Sequence, residues 1–215
     1  MTLRSKLRFQ MRWTSLACLG AISVSAAVAP DPRPAVVAFG DSLSAGFGAE
    51  AGKSYPDYLQ KLLDAKGYRY RVINAGVSGD TSTDGVERMR DVVSAHPAVV
   101  IVEFGGNDGL RGQPVGGTKA NLEQMIVALQ KAGAKVVLAG ITLPRNYGAE
   151  YIRSFDSIYT SLAKQYKLVL IPFLLLGVAQ SGPGLMQQDS IHPTAAGNEK
   201  VAATVFRYLA PVLKK

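Results

Sequence analysis

Five short apolar runs, each closed by Gly, Asn, Asp or Pro, alternate along the chain with longer segments of helical periodicity. The runs cover residues 35–39, 70–73, 98–104, 135–139 and 168–171. Several are nearly continuous in Val, Ile, Ala and Phe and do not alternate with polar residues, so both faces of the strands they form must be buried. The segments 54–66 and 83–95 place Tyr58, Leu59, Leu62 and Leu63, and then Val86, Met89, Val92 and Val93, on one helical face. Helices are also expected over 121–132 and 150–166, with a short one at 173–180 and a closing one at 194–212. Alternating strands and helices of this kind predict an α/β fold, a three-layer α/β/α sandwich around a flavodoxin-like five-stranded parallel sheet. No repeat, low-complexity stretch or second domain interrupts the pattern.

The beginning of the chain stands apart. Arg4, Lys6, Arg8 and Arg12 precede an apolar stretch from Leu16 to Val28, which is the layout of a secretory signal peptide. Cleavage near Ala27 is expected, with Ser25-Ala26-Ala27 favoured over Ala27-Val28-Ala29 because Pro30 would follow the second cut. The chain therefore divides into a leader (1–27), a Pro-containing linker (28–34) and a folded domain (35–215). Loss of the leader removes four positive charges and no acidic one, lowering the net charge from +8 to +4. The remaining basic residues are scattered, which speaks against a nucleic-acid partner. The apolar stretch is shorter than the ~20 residues a membrane span needs and contains Ser and Thr, so no stable span is expected in the mature chain. Cys18 is the only cysteine. Its one minor alternative use is lipoprotein attachment behind a weak lipobox, and without it the mature chain has no disulfide, thiol nucleophile or Cys-ligated metal.

In a parallel sheet the carboxyl ends of the strands share one edge, where ligands bind. Past the first strand comes Gly40-Asp41-Ser42-Leu43-Ser44, past the second Asn74 to Thr81, and past the third Gly105-Gly106-Asn107-Asp108. Asp189-Ser190-Ile191-His192-Pro193 precedes the last helix and must reach the same edge, because that helix runs back antiparallel to the sheet. Of the two histidines, His96 lies at the opposite edge, which leaves His192 as the candidate base. Asp189, three residues earlier, can accept from one ring nitrogen in a tight turn and fix the other as proton acceptor. A purely structural use exists as well, with Asp189 capping its turn and His192 packing on Pro193. Ser42 is the candidate nucleophile, nearer the strand end than Ser44 and flanked by small residues, although a serine there also suits a helix cap. The backbone N–H groups of Ser42 and Gly79 and the side-chain amide of Asn107 are candidate oxyanion donors. Gly79 could equally serve only its turn, and Asn107 only its loop. No cluster with ligand spacing supports a metal, and no cofactor is implied.

These blocks together resemble the GDSL family of SGNH hydrolases. The matching segments are Gly40-Asp41-Ser42-Leu43, Val77-Ser78-Gly79-Asp80-Thr81, Gly105-Gly106-Asn107-Asp108 and Asp189-Ser190-Ile191-His192-Pro193. Glu103 to Gly112 and Leu143 to Gly148 are most similar to the bacterial periplasmic group of acyl-CoA thioesterase I, lysophospholipase and arylesterase. The resemblance implies a Ser42–His192–Asp189 triad and an oxyanion hole of Ser42, Gly79 and Asn107. It also implies substrate contacts in the loops 108–114 and 144–149, for which Asp108, Leu110, Asn146 and Tyr147 are the candidates. The expected protein is a monomeric periplasmic or secreted serine esterase or thioesterase acting on small-molecule acyl esters, thioesters or lysophospholipids. A carbohydrate deacetylase and a non-catalytic binding module are the alternatives. The intact Ser-Gly-Asn-Asp-His set argues against the second.

Overall fold

The computed structural model describes residues 31–180 and 184–215. The expected leader, Cys18 and the first part of the linker lie outside them. The sheet is built around β1 (Ala35–Gly40), whose six residues are all buried. It has parallel partners on both sides, β2 (Arg71–Gly76) and β3 (Val99–Glu103). β4 (Lys135–Ala139) and β5 (Val169–Ile171) continue beyond β3, giving the all-parallel order β2-β1-β3-β4-β5. The predicted flavodoxin-like sheet is the observed one.

Among the described residues seven α-helices accompany the strands: α1 (Ser42–Ala45), α2 (Tyr55–Ala65), α3 (Ser82–Ser94), α4 (Gly106–Leu110), α5 (Val115–Lys131), α6 (Ala149–Tyr166) and α7 (Ala195–Leu209). α2 packs on α7, and α5 packs between α3 and α6, so two helical layers enclose the sheet. Burial follows helical periodicity: α2 buries Tyr55, Leu59 and Leu63, with the expected Tyr58 and Leu62 only half-buried, and α6 turns Phe155, Ile158, Tyr159 and Leu162 inward. Ser54 caps α2 and Thr81 caps α3, each in a reciprocal capping box with Asp57 and Asp84 respectively. Those boxes fix where each helix begins, and Thr81 directly follows the Gly79-Asp80 turn.

Four local differences from the sequence expectation have physical causes. β2 runs on through Asn74 to Gly76 because, as an edge strand, it tolerates a polar residue facing solvent. α5 starts at Val115, six residues earlier than expected, since its packing overrides the poor helix propensity of Gly116 and Gly117. The segment 174–180 forms consecutive turns in place of the expected helix, because Gly177 takes a left-handed φ of 74°. The single-turn helices α1 and α4 are too short to show periodicity at all.

Strand register then aligns the ends that matter. Gly40 pairs with Gly76 on one side and with Glu103 on the other. The α1 backbone sits directly on this row: a Cβ at Gly76 would lie 2.2 Å from Ala45 N and 2.6 Å from the Ser44 carbonyl carbon. Gly76→Ala is therefore expected to lower stability by about 1–3 kcal/mol in urea unfolding, because neighbouring backbone cannot yield as a flexible side chain would. An unchanged unfolding midpoint would mean that α1 is not seated on β2.

Candidate active site

Ser42 opens α1 immediately after β1. Asp41 caps that helix, its Oδ1 accepting from the Leu43 N–H at 3.0 Å. As the first helical residue, Ser42 keeps a backbone N–H with no intrahelical acceptor. Its Oγ lies 2.9 Å from Nε2 of His192, 150 residues away in sequence. The other ring nitrogen, Nδ1, is 2.6 Å from Asp189 Oδ2.

The Asp189–His192 turn is shaped to hold this geometry. Asp189 Oδ1 accepts from the backbone N–H groups of Ile191 and His192, at 2.9 and 3.0 Å. Ser190 adopts a left-handed φ of 58°, which closes the turn. Partial burial works against the Asp189 carboxylate, but the His192 ring and these two N–H groups outweigh it and hold its carboxyl below the usual carboxylate range. Gln187 ties the turn to its surroundings. Its Nε2 donates to Phe47 O at 2.7 Å and to Pro193 O at 2.9 Å, and its N–H donates to His192 O at 2.8 Å. The Phe47 ring lies 4.6 Å from the His192 ring, centroid to centroid.

Gly79 occupies an exposed turn with φ 90°, and no atom stands within 4 Å of where its Cβ would be. Among the described residues its N–H has no acceptor. Asn107 opens toward the same edge from α4. Its Nδ2 donates to Asp80 O at 2.8 Å and, less closely, to Asp41 Oδ2 at 3.2 Å. Arg88 of α3 stitches the site together from below, donating to Asp80 Oδ2 at 2.5 Å and to the carbonyls of Ala75 and Gly40 at 2.7 Å. Its guanidinium also covers the rings of Phe39 and Phe104.

Ser42, Asn107 and His192 face a cavity of about 410 Å³ whose walls include Leu110, Ile141, Leu143, Phe173, Leu175 and Ile191. Of the four residues named as substrate contacts, only Leu110 lines it. Asp108 is wholly buried and points away, accepting from Ser82 N–H at 2.8 Å, from Ser82 Oγ and from Thr118 Oγ1 at 3.2 Å. The expectation that it touches substrate is corrected: a carboxylate needs these buried donors, and they tie the α4 loop to α3 and α5. Tyr147 supports the wall from behind by donating to Leu110 O at 2.9 Å, and Asn146 is solvent-exposed outside the cavity. Ser44, the competing hydroxyl, is fully buried and bonded to Glu103. His96 is exposed at the opposite edge of the sheet, just before β3. Among the described residues no cluster of metal-ligating side chains occurs.

Sequence reasoning missed the cavity walls at Ile141, Leu143, Phe173 and Leu175, and the clamps formed by Gln187 and Arg88. An apolar residue in a loop after β4 or β5 was the only available signal for the former. The clamps reach mostly backbone carbonyls, those of Phe47, Gly40 and Ala75 among them, which no residue type marks in the sequence.

The sequence matches the GDSL-like lipase/acylhydrolase family over residues 38–200. The chain belongs to that family. It is similar to esterase TesA of Pseudomonas aeruginosa, with 43% identity over 81% of this chain and 87% of the relative. It is also similar to thioesterase 1/protease 1/lysophospholipase L1 of Escherichia coli, at 38% identity over 81% and 82%. A crystal structure of TesA superposes with a TM-score of 0.80 at 42% identity, covering 83% of this chain and 99% of that one. AlinE4, an SGNH-hydrolase family esterase, superposes at 0.70 with 41% identity over 85% and 98%.

The Asp189 carboxyl, held below its usual range by His192 and the turn's N–H groups, makes stability depend on pH. Its ionised form is favoured in the folded state, so it adds stability above the unfolded aspartate value of about 4 and loses it as pH falls through the lower native value. In urea unfolding, wild type should exceed Asp189→Asn at neutral pH, and the difference should shrink below about pH 4. A difference independent of pH would mean that Asp189 draws no net support for its charge.

Proposed function

We propose that this chain hydrolyses acyl esters and fatty acyl thioesters through an acyl-Ser42 intermediate. The observation that carries the reading is the hydrogen-bonded series Ser42 Oγ, His192, Asp189, opening on an apolar cavity. Membership of the GDSL-like family, and relatives named esterase and thioesterase, support the same reaction class. The enzyme is a hydrolase of ester or thioester bonds.

His192 Nε2 takes the Ser42 proton as Oγ attacks the substrate carbonyl carbon. Asp189 holds the ring tautomer and stabilises the imidazolium that forms. The tetrahedral oxyanion is received by the N–H groups of Ser42 and Gly79 and by Asn107 Nδ2, each such donor being worth about 10²–10³ in turnover. The carbon–oxygen or carbon–sulfur bond then breaks, and His192 returns its proton to the departing alcohol or thiol. Water, deprotonated by the same imidazole, attacks acyl-Ser42; the acyl–Oγ bond breaks as His192 returns that proton to Ser42 Oγ, and the carboxylic acid leaves. The walls of Leu110, Ile141, Leu143 and Phe173 suit a hydrocarbon chain, which favours fatty acyl substrates over the acetylated sugars of a deacetylase. The basic-then-apolar leader supports a periplasmic or secreted location. Among the described residues no helix is long and apolar enough to cross a membrane.

Hydrolysis of p-nitrophenyl esters from acetyl to palmitoyl tests the reading. Ser42→Ala should lose at least about 10³-fold in turnover with its fold intact, and wild type should prefer medium or long chains. Near-normal turnover in Ser42→Ala would sink the assignment, and activity confined to acetyl would favour the deacetylase. The two histidines should separate as sharply. His96→Asn, which tolerates the native φ of 46°, should keep wild-type turnover while His192→Ala loses nearly all of it. Equal losses would mean that the base is misassigned.

A further inference from the structure

Glu103, at the end of β3, is the only acidic strand residue among the described residues, and it is wholly buried. Its Oε2 accepts from Ser44 Oγ at 2.8 Å and from the Asp41 N–H at 3.2 Å. Its Oε1 is buried and receives no donor. The Asp41 carboxyl is buried beside it, on the same residue from whose backbone N–H Glu103 accepts. Asp41 in turn holds two parts of the candidate site, the Leu43 N–H of the nucleophile's helix and the Asn107 amide. Among the described residues no lysine or arginine bonds either carboxyl. The nearby Arg88 spends its guanidinium on Asp80 and on the Ala75 and Gly40 carbonyls.

Two neighbouring carboxylates buried without a cation cannot both stay ionised at modest cost. A single proton between them removes the repulsion and supplies the missing hydrogen bond. The geometry points to Glu103 as a neutral positioning residue that donates its carboxyl hydrogen to Asp41 while accepting from Ser44 and the Asp41 N–H. Asp41 then remains an anion able to hold Leu43 and Asn107 in place. Ser44, which resembles a spare nucleophile in the sequence, becomes the link between Glu103 and α1.

The surroundings favour that division of the proton. Burial, followed by the Asp41 charge, pushes the Glu103 carboxyl well above the usual range. Burial raises Asp41 to about 6, opposed by its bonds from Leu43 and Glu103 and by His192. Asp108 of α4 adds a further negative charge beside Asp41. From α2, Tyr55 OH lies 3.2 Å from Ser44 Oγ, and from α6, Tyr159 OH donates to Phe104 O at 2.9 Å. Burial raises both phenols, so they stay neutral and offer no cation.

This role rests on the Ser42 hydrolase reading, and two variants test it by steady-state hydrolysis between about pH 5 and 9. Glu103→Gln presents an amide oxygen to Ser44 and an amide N–H to Asp41. Its kcat should stay within about threefold of wild type, with the pH profile of kcat/KM unmoved. Glu103→Met fills the volume without either bond, and kcat should fall at least about tenfold at nearly constant KM. Infrared spectra should show a protonated-carboxyl band in wild type at neutral pH that is missing from Glu103→Gln. A folded Glu103→Met with wild-type kcat overturns the role, as does a Glu103→Gln as impaired as Glu103→Met, or absence of the band. If Glu103→Met does not fold, Glu103→Gln and the band decide. Wild-type hydrolysis independent of Ser42 would sink the hydrolase reading instead, and the infrared band would still judge Glu103.

Discussion

The parallel pairing of β1 with β2 and β3 is the constraint from which the candidate site follows. It places Gly40, Gly76 and Glu103 in one row across three strands. Everything that leaves the sheet beyond this row emerges at one edge: Asp41-Ser42 from β1, the Gly79 turn from β2, and Asn107 from β3. A shift by one residue in either ladder would turn every side chain of that strand to the other face. It would also drive a side chain into the α1 backbone, which only glycine at position 76 permits to lie so close, or at position 40 into Glu103 and the Ser44 hydroxyl. Arg88 reinforces the row by bonding the Gly40 and Ala75 carbonyls and Asp80 at once.

On this row stands a polar layer that is buried yet almost fully bonded. Asp41, Ser44, Glu103, Asp108, Ser82 and Thr118 are all buried, and most of their hydrogen bonds are to one another. Such a layer is costly if any member loses its partner, and it is rigid for the same reason. Rigidity is what the candidate chemistry needs, because hydroxyl, imidazole and amide donors work only when held near their reacting positions before substrate arrives. The cavity is made differently. Its apolar walls come from the loops after β4 and β5 and from α4, which can vary without disturbing the polar layer.

The sequence made some of this legible and hid the rest for identifiable reasons. Strands buried on both faces leave continuous Val/Ile runs, so β1, β3 and β4 could be read directly. Asp189 and His192 are three residues apart, and a local hydrogen bond needs only local sequence. α1 and α4 carry no periodicity because each is about one turn long. Asp108 was misjudged because a carboxylate beside Asn107 looks available in sequence, whereas its actual partners, Ser82 and Thr118, come from two other helices. Gln187 acts on carbonyls, as does Arg88 apart from its bond to Asp80, and every residue has a carbonyl, so little in their partners' identities marks them.

The sequence by itself thus determined the layer order, the edge at which the chemistry collects, and the identities of Ser42, Gly79, Asn107, Asp189 and His192 as candidates. These depend on periodicity, on chain direction and on short-range spacing, all of which are properties of the linear chain. Only the tertiary structure decided that Ser42 and not Ser44 faces His192, that Asp108 turns inward, and that Glu103 and Asp41 share a buried contact. Each of those outcomes depends on which distant groups supply or withhold a hydrogen bond once water is excluded. That is settled by packing in three dimensions, because desolvation leaves a polar side chain no option but the partners that the fold brings to it.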